Sequence, residues 1–134
     1  RPVVASSRTV PCQPPTTTRW PSGENIAELA KCPNMNVKLG GMGMTSFGFD
    51  FHERDVPPSS ADLAAAWRQF VEPCIEAFGA NRCMFESNFP PDKHSCGYTE
   101  LWNAFKLITA GASTDEKRAL YSGTAARVYS LTVP

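Results

Sequence analysis

Two short strand patterns on either side of one long helical pattern set the tightest limit on how this chain can fold. "MNVKLGG" alternates Met35, Val37 and Leu39 with Asn36 and Lys38, the signature of a strand. "RCMFESNF", starting at Arg82, opens as an apolar strand. Between them Leu63, Trp67, Phe70, Val71, Cys74, Ile75 and Phe78 recur at helical spacing and make one apolar face. Strand, long helix, strand predicts a parallel pair joined by a crossover helix, with residues 35–40 and 83–88 neighbouring or next-neighbouring. A two-stranded parallel sheet is a poor core by itself. The apolar helix faces therefore call for more sheet than these two patterns supply.

The remaining elements follow from local signals. "ENIAELAKC" puts Ile26, Leu29 and Ala30 on one face of a short helix that Pro33 stops. The glycines Gly40, Gly41 and Gly43 open the first strand into a long aromatic loop. Ser59 and Asp62 start the long helix as an S-x-x-D cap, Pro73 is expected to kink or split it, and Gly79 ends it. "YTELWNAFKLIT" reads as a helix through Leu101, Trp102, Phe105 and Ile108, closed by Gly111. Ser113 and Glu116 cap "TDEKRALYS", and Gly123 is expected to separate it from a last helix, "TAARVYSL". Residues 1–22 are proline-rich and aperiodic, and they read as an irregular or disordered arm with a short strand at Val3–Ala5. The chain begins without Met, so a fragment or a processed product is expected.

Composition excludes several classes. The formal net charge is zero, so no basic face suggests nucleic acid. No apolar run approaches the roughly 18 residues that span a bilayer. The five cysteines are odd in number and include no C-x-x-C pair. They read as reduced thiols in a cytoplasmic chain, without a structural zinc site.

The chemistry concentrates after the second strand. Alternation places Met84, Glu86 and Asn88 on one side and Cys83, Phe85 and Ser87 on the other. Ligands of parallel α/β folds bind at the carboxyl ends of strands. Glu86 is thus a candidate base or metal ligand, while Asn88 does not titrate and acts by hydrogen bonding. Glu86 and Asn88 are expected to share a cavity, with Asp92 and Lys93 at its rim and His94 just beyond. Lys38 is placed at the mouth of the fold. His52, beside Asp50, Glu53 and Asp55, is a candidate metal ligand or proton carrier. The candidates are therefore Glu86 and Asn88 for catalysis, and Lys38, His52, Asp92 and Lys93 for substrate. A plainer reading stands beside this one. In it Glu86 pairs with a cation, Asn88 holds a turn, Asp92 and Lys93 are a solvated turn, and His52 is a surface residue.

"NVKLGGMGM", "RCMFESNFPPDK", "LWNAF" and "GTAARVYSL" together resemble the carboxyl-terminal portion of the amidohydrolase-related (amidohydrolase 2 type) metal-dependent hydrolases of the TIM-barrel fold, from about Glu24 to Leu131. The resemblance implies an α/β fold that is the C-terminal part of a (β/α)8 TIM barrel. It would be incomplete, since a barrel takes about 250 residues. Residues 1–22 would be the arm and 23–134 the barrel part. The implied function is a fragment of a hydrolase that uses activated water on a small carboxylate, lactone or amide. The alternative is a truncated or degenerate copy that binds without catalysis or has no activity. The family implies a divalent metal, zinc first, but its usual histidine ligands are absent here. Asn88 also stands where the family's Ser-Asp-x-Pro pattern has Asp, so no metal ligands are expected in this chain, which alone is expected to be inactive. The implied partner is a small-molecule substrate, with no nucleic acid and no membrane, and exposed sheet edges leave homo-oligomerisation open.

Overall fold

The computed structural model describes residues 23–132; the arm expected over residues 1–22 lies outside them. The strands are β1, Val37–Leu39, and β2, Cys83–Phe85. They pair in parallel, with Val37 opposite Cys83, Lys38 opposite Met84 and Leu39 opposite Phe85. The Glu86 amide donates to the Leu39 carbonyl at 3.2 Å and extends the ladder by one step. The parallel pairing expected from the element order is present, over shorter strands than the pattern implied.

Helix α1 spans Gly23–Ala30, and helix α2 spans Ser60–Phe78 and makes the crossover from β1 to β2. The α2 start is a capping box. The Ser59 hydroxyl accepts from the Asp62 amide at 3.2 Å, and Asp62 accepts from the Ser59 amide at 2.9 Å. Leu63, Trp67 and Val71, four residues apart, bury one face almost completely. Pro73 neither splits nor ends α2, which runs unbroken to Phe78. The carbonyl that Pro73 leaves without an amide belongs to Gln69, an exposed residue, where solvent is available in place of the missing partner. Gly79 then stops the helix with φ 77°.

Helix α3, Tyr98–Ile108, packs along α2. It ends before Gly111, the residue expected to close it. Helix α4, Thr114–Arg118, starts on the Ser113–Glu116 capping box. Gly123 does not divide the last helices. The chain passes from α4 through a π-helical turn at Ala119–Gly123 into α5, Thr124–Val128. Gly123 itself has φ −62°, ordinary helical backbone. The wide turn buries both Leu120 and Thr124.

The core is an aromatic column. Phe85 of β2 stacks on Phe105 at 4.3 Å between ring centroids, and Phe105 meets Trp67 at 5.8 Å. Tyr121 closes the column 5.0 Å from Phe85. One face of β2 thus looks at the helices through Cys83 and Phe85. The other edge of β1, with α1 and α2, borders an apolar groove of about 260 Å³ that includes Leu29, Met42, Phe47 and Phe70. Among the described residues no helix is long and apolar enough to cross a membrane.

The Trp67 indole N–H is buried without a hydrogen-bond partner. Trp67→Ala is expected to cost ~3–5 kcal/mol, read as a lowered urea midpoint. Trp67→Phe keeps the ring contact and removes the unpaired donor, so it is expected to cost less than ~1.5 kcal/mol. Equal losses in the two variants would show that the ring does not anchor the column.

Candidate active site

Because β1 and β2 are parallel, their carboxyl ends lie at the same edge and deliver their loops side by side. Close approach of those loops demands glycine. A Cβ on Gly40 would sit 2.5 Å from the Glu86 carbonyl oxygen, and one on Gly43 would sit 2.9 Å from Asp92 Cγ. The glycines after β1 are therefore the seat of the β2 loop.

Asp92 ties that seat together. It lies in a 3-10 turn at Pro91–His94 and has no exposed surface. Its Oδ2 accepts from the Gly43 amide at 3.1 Å, and its Oδ1 accepts from Asn88 Nδ2 at 2.6 Å. Ser95 completes the clamp by donating its hydroxyl to the Gly43 carbonyl at 2.5 Å. Burial pushes the Asp92 carboxyl up from its ordinary value. The two donated hydrogen bonds offset part of that rise, and the nearby Glu86 charge adds to it.

The expected cavity shared by Glu86 and Asn88, with Asp92 at its rim, is not what forms. The strand ends at Phe85, and Asn88 has φ 52°, which breaks the two-residue alternation. Neither residue lines any of the four cavities described. Glu86 instead pairs with Lys38 on β1, and that hydrogen bond and charge hold the Lys38 ammonium above its usual value. Asp92 is a buried link between loops, not an exposed group.

A second feature gathers what the sequence scattered. Two adjacent cavities, of about 490 Å³ and about 430 Å³, open over the loops and share His52 and His94 as lining residues. The second is also lined by Lys93, Arg54 and Ser95, with Phe51, Phe89 and Tyr98 as its aromatic walls. Lys93 and His52, both expected at the site, do come together there. His94, Arg54 and Ser95 had been given no role. The polar run that contains His94 and Ser95 was the available signal for two of them.

Asp50, His52 and Glu53 offer one ligand atom each, all within 4.8 Å of one another. The expectation that the chain carries no metal-ligand set is therefore not borne out. The site residues of the family resemblance are still missing, but one imidazole and two carboxylates are a donor set that suits zinc. The cysteines offer no alternative chemistry among the described residues. Burial pushes the Cys83 thiol up to about 12 and the Cys96 thiol up to about 11, away from the thiolate that a nucleophile needs. Cys74, Cys83 and Cys96 are free thiols, whereas Cys32 is disulfide-bonded, so the all-reduced reading does not hold for Cys32.

Comparison with known proteins places this geometry. A family model described as Amidohydrolase matches residues 10–131, and so reaches back into the segment read as an arm. The chain is similar to the uncharacterized protein y4mH of Sinorhizobium fredii, 40% identical over 101 residues, covering 75% of this chain and 30% of that protein. It is also similar to an L-fucono-1,5-lactonase of Burkholderia multivorans, 30% identical over 121 residues, covering 87% of this chain and 36% of that protein. Among solved structures it matches an amidohydrolase of Burkholderia multivorans with bound zinc. That match has a TM-score of 0.70 and 29% identity, covering 82% of this chain and 37% of that one. A second crystal form of that amidohydrolase, with bound HEPES, matches with the same TM-score of 0.70. The chain thus spans about a third of the length of these relatives.

The Asn88–Asp92 contact makes a sharp pH prediction. In Asn88→Asp two carboxylates would touch, and the pair would hold a proton that the unfolded chain releases near pH 4. A carboxyl pKa raised by folding gives stability that is present at low pH and lost as pH rises through the raised value. The variant should therefore approach the parent at pH 4 and fall short by ~2–4 kcal/mol at pH 7, measured by urea unfolding. A deficit that does not change with pH would show that the two side chains are apart.

Proposed function

The chain belongs to the amidohydrolase family, and from that premise we propose that its described residues are the carboxyl-terminal part of a (β/α)8 barrel in a metal-dependent hydrolase. The substrate class we favour is a small lactone, with other carboxylate derivatives and amides behind it. The observation that carries this reading is the parallel β1–β2 pair, whose carboxyl-end loops bring the His52–His94 cleft to the same end of the sheet as Glu86, which pairs with Lys38 outside the lining of that cleft. The edge of β1 that pairs with no strand among the described residues, and the apolar groove beside it, fit a sheet that continues. They equally suit association between copies of the chain.

Glu86 is the candidate base. Its carboxylate is partly buried and held by the Lys38 ammonium at the end of the sheet. It takes a proton from water as the water oxygen bonds the acyl carbon. The ring C–O bond then breaks, and the proton goes to the departing ring oxygen, leaving a hydroxy acid. Lys93 orients the substrate from the cleft. Asn88 acts at one remove, by holding Asp92 and with it the loop after β1. A divalent ion would be held by Asp50, His52 and Glu53, and when bound would polarise the carbonyl as a Lewis acid.

A second reading is a binding module without turnover. It is favoured by Asn88, which cannot accept a proton where the resembling family has Asp.

The test is hydrolysis of sugar δ-lactones by the full-length protein that contains this barrel part, followed by proton release. Glu86→Gln is expected to lower kcat/KM by about 100-fold or more, the size of a lost acid–base group. An unchanged rate would make Glu86 a partner of Lys38 only, and no turnover in either protein would leave the binding module. The metal proposal has its own readout. Zinc should bind in competition with a chromophoric chelator, and His52→Ala should weaken it by about tenfold or more. Equal zinc affinity in the two proteins would remove Asp50, His52 and Glu53 from the proposal.

A further inference from the structure

The larger-walled of the two loop cavities has a lopsided chemistry. Arg54, Lys93, His52 and His94 all line it, and no Asp or Glu does. Among the described residues neither Arg54 nor Lys93 has a carboxylate within ion-pairing distance. Cations are normally spread among opposite charges on a protein surface, and here the net charge of the chain is zero. The Asp62 carboxylate acts on Arg54 only at longer range, so two cations without a close ion pair face one concavity on an otherwise balanced molecule.

The geometry adds an apolar half. The Arg54 guanidinium lies over the Phe51 ring at 4.7 Å, a contact that orients the planar group and leaves its N–H edge free. Phe51 is buried and so fixed, whereas Tyr98, also in the lining, is exposed. The volume, about 430 Å³, lies in the range that holds small organic ligands. A ligand that satisfies the whole lining needs a negative group for Arg54 and Lys93 and a ring or alkyl body to lie against Phe51 and Tyr98.

We infer that this cleft binds a small organic carboxylate with an apolar or ring body, using Arg54 and Lys93 for the carboxylate and Phe51 and Tyr98 for the body. The inference rests on the hydrolase reading for its meaning, because opening a lactone turns a neutral ring into such an anion. It names the acid, and not the lactone, as the species that this cleft retains. His52 and His94 add ring N–H donors beside the two permanent cations.

Benzoate is the probe, followed by ligand-detected NMR on the full chain in EDTA, so that binding through a metal ion is removed. Benzoate should bind, and Arg54→Gln with Lys93→Gln should weaken it by about 100-fold, about tenfold for each charge-assisted contact. Arg54→Lys, which keeps the charge and loses the planar fork, should fall between. Lys106→Gln, an exposed lysine of α3 outside the cleft, should leave binding unchanged and controls for net charge. All of the altered side chains are exposed, and equal urea midpoints would confirm that each variant folds. Benzyl alcohol binding as tightly as benzoate would overturn the role of the cations. Inorganic phosphate binding as tightly would overturn the role of the apolar walls. Benzoate binding that survives in the double variant would overturn the site itself. These outcomes are separable from the hydrolase test. Charge-dependent benzoate binding without lactone hydrolysis removes the enzyme and keeps the cleft, and hydrolysis without benzoate binding does the reverse.

Discussion

A single buried carboxylate holds together the loops at the carboxyl end of the sheet. Asp92 has no exposed surface, yet both of its oxygens are engaged, one by the Gly43 amide and one by Asn88. Taking that group out of water is costly, and burial raises its proton affinity accordingly. The cost is tolerable because both oxygens are satisfied, and the Gly43 bond joins the loop after β1 to the loop after β2 while the Asn88 bond braces the latter. Gly43 must be glycine for this to happen, since a Cβ there would press on the Asp92 carboxylate. The position of the cleft follows from that joint, because Gly43 and Pro91 line one cavity and Ser95 lines the next.

Beneath the loops the fold depends on stacked rings instead of charge. Phe85, Phe105 and Trp67 link the sheet to α3 and α2 in one continuous contact. Only three residues of each strand pair, so the backbone ladder is too short to position the strand ends alone. The aromatic column sets the depth at which β2 sits, and β2 sets where Glu86 emerges. Lys38, directly beside Met84 in the register, then meets Glu86 across the pair. Positioning of the candidate base is thus a consequence of core packing one residue earlier, at Phe85.

The site is more basic and more aromatic than its sequence neighbourhood suggested. Arg54 and His52 come from the loop after β1, and Lys93 and His94 come from the loop after β2. In the sequence each of these cations has acidic neighbours, Asp50, Glu53 and Asp55 on one loop and Asp92 on the other. Folding keeps Asp50 and Glu53 beside His52 but leaves the acidic groups out of the cavity wall. Asp92 turns inward to the glycines, and Asp50, Glu53 and Asp55 stay out of the lining, which leaves the cations facing the cavity.

The elements themselves were legible in the sequence, because the signals that specify them are local. Alternation marked β1, the Ser59–Asp62 and Ser113–Glu116 boxes marked two helix starts within four residues, and the Leu63–Trp67–Val71 spacing marked the buried face of α2. Strand, helix and strand in that order were enough for parallel pairing, since no short turn can reverse the chain through a helix of that length. Local signals misled where the backbone had an unrecorded outlet. Pro73 was tolerated because Gln69 faces water, and Gly123 was carried through a π-helical turn. The roles of Asn88, Asp92 and the glycines were settled by tertiary structure alone. Their hydrogen bonds join residues as far apart as Gly43 and Ser95, and such partners have no period and no fixed spacing in the chain. Which charges face a cavity, and which are buried beneath it, is decided by how two loops pack, and that packing exists only after the strands that carry them have paired.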